Sequence, residues 1–158
     1  MKYLRNLFVC IVPVLIWNAV FLNKLPEVYL TDFWKDIPPL VAFGENIFRS
    51  IVILLPLLMP LTINSPRQMY GLAIYITGIL IYASSWLMQI YFPMSQWSQS
   101  LWGFLAPSYT PFIWLFGIGR MSKSLYIPSP YKPWHYYLVS LLFLIFHNAH
   151  AYLIYLRR

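Results

Sequence analysis

Long apolar runs alternate with short polar interruptions along this chain. The runs cover about 7–22, 45–63, 69–92, 98–118 and 134–156. A hydrocarbon core about 30 Å thick takes roughly 20 helical residues at about 1.5 Å each. The pattern therefore predicts an all-α integral membrane protein, an antiparallel bundle of about five transmembrane helices forming one domain over 1–158. Residues 68–119 carry no charge, too long a stretch for one crossing. Tyr91–Gln96 supplies the turn that divides it. Pro107 and Pro111 sit mid-run in 98–118, which admits an alternative of four crossings plus a re-entrant segment there. Residues 23–43 hold Lys24, Glu27, Asp32, Lys35 and Asp36 beside Tyr29, Phe33 and Trp34. That mixture predicts an interfacial loop. The first run has a basic start but no small-residue cleavage site, so an uncleaved span is expected, with a kink at Pro13. Pro56 and Pro60 should bend the second.

Polar positions within the runs are periodic. Gly71, Tyr75, Gly78, Tyr82, Ser85 and Gln89 fall at alternating steps of four and three, one stripe on an otherwise apolar helix. Tyr136, Ser140, Phe143, His147 and His150 make a second stripe. Gly103, Pro107, Thr110, Trp114 and Gly117 make a third. Small and polar residues face the bundle, so these stripes are expected to be packing seams first and channel walls second.

Composition changes the picture in one respect. The 158 residues are 60% hydrophobic, 20% aromatic and 9% charged, with a net charge of +7. So few charges cannot solvate a globule, and the bilayer replaces water around the chain. The basic residues stand at the ends of runs, which indicates anionic membrane lipids as partners and excludes nucleic acid. Lys2, Arg5, Arg67, Arg120, Lys123 and Lys132 share one side in a five-span chain. This predicts a cytoplasmic amino terminus in a plasma or inner membrane, with the first loop and the Pro93 turn outside. Arg157 and Arg158 then fall outside, against the rule. Cys10 is the single cysteine, which excludes an intrachain disulfide.

Candidate chemistry begins at Arg49. A lone arginine in a membrane helix costs roughly 2.5–3.5 kcal/mol on insertion scales. Glu45, one turn earlier, is its expected partner. With alternating spans, Asn18, Glu45, Arg49, Trp86, Gln89, His147 and His150 fall in the outer half of the bundle, and the inner half is plainer. These seven are the candidate ligand-binding residues. Glu45, Asn46, Gln96, Gln99 and Ser100 also suit helix ends at the interface. Arg49, Gln89 and His147 are expected to converge on one cavity between the second, third and fifth spans. His147 and His150 could join a metal or haem site, with Glu45 as a third zinc ligand or Met59 or Met88 as an axial partner. No second span carries histidine, and no metal or cofactor is expected. The favoured function is binding or passing a small, partly apolar, amphiphilic ligand through this outer pocket. A lipid-modifying enzyme using Glu45 and His147 as acid and base is one alternative. The other is a subunit or assembly factor that binds a membrane-protein partner or forms a homo-oligomer.

Overall fold

A computed structural model describes residues 5–29 and 33–157. The positions of Lys2, Asp32 and Arg158 lie outside the described residues. Among the described residues five helical segments are long and apolar enough to cross a membrane. The first joins a 3-10 turn at Leu7–Cys10 to α1 (Val12–Phe21) and a second turn at Leu22–Lys24. The second is α2 (Pro39–Leu54), tightening into 3-10 geometry over Leu55–Leu58. The third is α3 (Pro66–Tyr91). After the short α4 (Gln96–Gln99), the fourth is made of α5 (Leu101–Tyr109) and α6 (Pro111–Met121). The fifth is α7 (Pro133–Tyr155). The chain is an all-α membrane bundle.

Proline sets many of these boundaries. Pro39, Pro66, Pro111 and Pro133 each open a helix, where a missing N–H costs nothing and the fixed φ already suits the helix. Inside helices the same residue frees a carbonyl, and lipid offers that carbonyl no partner. Side chains from neighbouring spans supply the donors. Pro107 cannot bond the Gly103 carbonyl, and Gln89 Nε2 donates to it at 2.7 Å. Pro56 cannot bond the Val52 carbonyl, and the Tyr136 hydroxyl reaches it at 3.4 Å. Near Pro13 the N–H of Val14 turns to Ile11, and the Tyr75 hydroxyl takes the Cys10 carbonyl at 2.8 Å. At the α5–α6 junction Asn148 Nδ2 reaches the Ser108 carbonyl at 3.3 Å.

The most extensive helix packing is between α3 and α6. Gly71, Tyr75, Gly78, Tyr82, Ser85 and Gln89 are all buried, so the α3 stripe is a packing seam. A Cβ on Gly78 would lie 2.5 Å from the Trp114 backbone nitrogen. Only glycine permits that approach. The α5–α6 and α7 stripes are largely buried as well. Outward positions such as Val9, Ile16, Val20, Leu80 and Ile145 are apolar and exposed, as a lipid-facing surface requires.

The five-span expectation holds over its alternative, and two other expectations change. The fourth segment is not re-entrant. Ser98 Oγ bonds the Met88 carbonyl near the end of α3, and Gln68 Nε2 bonds the Met121 carbonyl at its start. The segment therefore runs the length of α3, and prolines at Pro107 and Pro111 kink it without turning it back. The second span begins at Pro39 rather than residue 45, because Pro38 and Pro39 start the helix instead of ending the loop. The inner end is not plain either. Gln68 is fully buried, donates to Thr62 Oγ1, and accepts from Asn64 N–H and Ser65 Oγ. Nearby, Tyr126 N–H bonds the Leu58 carbonyl and its hydroxyl bonds the Arg5 carbonyl.

Candidate functional site

The earlier start of α2 carries Glu45 six residues into the helix, about 9 Å along its axis. Its side chain is 0% exposed. The second and fifth spans meet closely here, because a Cβ on Gly44 would lie 2.7 Å from the Phe146 ring. That contact brings His147 and His150, one turn apart on α7, onto the Glu45 carboxylate. Oε1 receives the Arg49 guanidinium and lies 2.8 Å from His147 Nδ1. Oε2 meets His150 Nδ1. A buried carboxylate is tolerated only with partners of this kind.

The interfacial loop closes over the cluster. His150 Nε2 lies 2.6 Å from the Phe33 carbonyl oxygen. The Phe33 and Trp34 rings pack on the imidazole at 4.3 and 4.6 Å between centroids. The Arg49 guanidinium lies over the Trp34 ring at 5.7 Å, within cation–π range. Asp36 turns the chain with φ +50°. Arg157, beyond α7, donates to the Lys35 carbonyl and, at 2.6 Å, to the Asp36 carbonyl. Tyr29 pins the earlier part of the loop, stacking on Phe104 at 4.7 Å and donating to its carbonyl.

Beside the cluster is a cavity of about 670 Å³, within the usual size range of small-molecule sites. Trp34, Tyr82, Trp86, Trp114 and Phe143 give it an aromatic wall, and Ile11, Val14, Val52 and Ile53 an aliphatic one. Asn18, Asn23, Arg49, Ser108 and His147 are its strongly polar members. Asn18 Oδ1 accepts from the Tyr82 hydroxyl at 2.7 Å. Trp114 Nε1 is buried and has no hydrogen-bond partner among the described residues. No family model, curated protein or solved structure matches this chain.

Asn18, Arg49, Trp86 and His147 line the cavity. Glu45 and His150 stand behind its wall and reach it through Arg49 and His147. Gln89 does not join them. It is 2% exposed and holds the Gly103 carbonyl, so the expected convergence of Arg49, Gln89 and His147 does not occur. The cause is Pro107, whose missing N–H leaves the Gly103 carbonyl for Gln89 to satisfy. The metal-ligand reading of His147 and His150 meets a different arrangement, in which both Nδ1 atoms face the carboxylate. Among the described residues no group of three His, Cys, Asp or Glu side chains is placed to hold a metal ion. Met59 packs at the opposite end, beside Leu7 and Tyr131, and cannot face these imidazoles. Reasoning from sequence missed Phe33, Trp34, Trp114 and Phe143 as site residues. The only signal for the first two was the aromatic pair within an otherwise polar loop.

Proposed function

We propose that this polytopic membrane protein binds a small, partly apolar molecule in the cavity, its polar end at Arg49 and His147. One observation carries the reading. Two side chains fixed by a fully buried carboxylate also form part of the wall of a largely aromatic and aliphatic cavity. Arg49 is 33% exposed and His147 18%, so each keeps surface for a ligand while Glu45 and its partners hold it in place. The charge pattern of the loops supports an extracytoplasmic position for this end of the bundle, with the amino terminus cytoplasmic.

Native mass spectrometry from lipid nanodiscs tests the reading, with ten-carbon amphiphiles as probes. Wild type is expected to take up one probe saturably. Val52→Trp, which fills the cavity from a buried wall position, is expected to abolish that uptake. Absence of saturable binding, or equal binding by the filled variant, overturns the proposal.

A further inference from the structure

His150 faces an acceptor at each ring nitrogen. Nδ1 meets Glu45 Oε2, and Nε2 lies 2.6 Å from the Phe33 carbonyl oxygen. The ring is 0% exposed, so water replaces neither partner. A neutral imidazole carries one N–H, and an ionised carboxylate carries none. Neutral His150 beside ionised Glu45 would leave an oxygen against a bare nitrogen at one of the two contacts. The pair must therefore hold one more proton. Either His150 is an imidazolium, or Glu45 is a carboxylic acid donating to it. Both placements make the pair neutral. Both leave the charge of Arg49 uncompensated by Glu45.

Among the described residues Arg49 has no other ion-pair partner. From α2 the cluster receives Arg49, and from α7 it receives His147, whose Nδ1 is turned to Glu45. From the loop come the Phe33 carbonyl and the Trp34 ring. Lys35 and Asp36 have exposed side chains, and their carbonyls are held by Arg157. From α3 the nearest titratable group is the Tyr82 hydroxyl, which donates to Asn18 on α1. The α5 helix carries no charged side chain. Among the described residues the cavity wall thus bears one net positive charge next to an apolar interior, where an unpaired charge is costly.

We infer that the cavity takes a monoanionic amphiphile, and that the anion binds together with the proton held between Glu45 and His150. This rests on the cavity binding a ligand at all. It adds the sign of the headgroup and its coupling to protons. When the proton leaves, the cluster becomes neutral and the anion loses its counter-charge. Affinity therefore falls as pH rises, by up to about tenfold per pH unit for one linked proton. The total loss should lie within the roughly 5–150-fold usual for coupled sites.

Decanesulfonate and decanol are the probes, because the sulfonate stays anionic at every pH used. Titrations of the protein in nanodiscs run from about pH 5 to about pH 9. Wild type should bind decanesulfonate about tenfold or more tighter than decanol at the acid end, and should lose that preference at the alkaline end. A pH-stat should record proton uptake approaching one per sulfonate bound where affinity is falling. Glu45→Gln copies the protonated form. Its carbonyl accepts from Arg49 and His147, and its amide donates to His150 Nδ1, leaving Nε2–H for Phe33. This variant should keep decanesulfonate binding tight at about pH 9 and take up no proton. If it fails to fold, the pH-stat result on wild type decides alone. Equal binding of both probes, or sulfonate binding to wild type without pH dependence or proton uptake, overturns the inference and leaves the cavity reading standing. Saturable binding of neither probe removes both.

Discussion

The bond from Gln89 to the Gly103 carbonyl gives the sharpest test of how this bundle holds together. Gln89→Leu removes the side-chain donor that reaches a carbonyl freed by Pro107. The site is buried, with Gln89 2% exposed. An unpaired buried carbonyl costs about 1–3 kcal/mol, while interhelical hydrogen bonds in membranes average about 0.6 and reach about 1.7. We expect Gln89→Leu to cost about 1–2 kcal/mol. Pro107→Ala restores an N–H four residues after Gly103, so the helix can satisfy its own carbonyl. In the double variant the leucine should then cost about 1 kcal/mol less than it does alone. Reversible unfolding by denaturing detergent, followed by circular dichroism, measures all four proteins. Additivity within about 0.5 kcal/mol would refute the claim that Gln89 replaces the bond lost at Pro107.

Three further outcomes follow from the same geometry. Gly78→Ala places a methyl group 2.5 Å from the Trp114 backbone nitrogen, and should cost about 1–3 kcal/mol in the same unfolding assay. Arg157→Ala removes the clasp on the Lys35 and Asp36 carbonyls. Hydrogen exchange across 33–36 should quicken while the middle of α7 is unchanged, and equal protection would show that the clasp does not hold the loop. Cysteines placed at 96 and 126 in a Cys10→Ala background should divide, 96 reacting with an impermeant thiol reagent from outside and 126 only after permeabilisation. Labelling of 126 from outside would reverse the orientation.

The spans were legible because a bilayer admits few solutions for long apolar runs, and the α3 stripe marked its seam before any neighbour was known. The expected partner of Arg49 was legible for the same reason, since an arginine in hydrocarbon needs one and Glu45 stood one turn away. What the spacing could not give was the use of each polar group. Gln89 and His147 look equivalent along their helices, both polar in a stripe near the outer end. Gln89 answers a carbonyl that Pro107, having no N–H, leaves unbonded, whereas His147 answers Glu45. The start of α2 was misplaced because Pro38 and Pro39 mark either the end of a loop or the first turn of a helix, and packing chose the second. That shift of about 9 Å took Glu45 from the interface into the bundle. Trp34 was placed in the interface by its neighbours, and its position over His150 and beneath Arg49 depends on contacts that local sequence does not encode.

The central claim is that an amphiphile enters the cavity beside Arg49 and His147 rather than lying on the lipid-facing surface. Photo-crosslinking with decanesulfonate carrying a diazirine at its far end tests this directly. The probe is applied to the protein in nanodiscs, and adducts are mapped by peptide sequencing. The account predicts adducts on cavity-wall residues such as Val52, Ile53 and Phe143, competed away by unlabelled decanesulfonate. Adducts confined to outward positions such as Leu80 and Ile145, unaffected by competitor, would contradict it.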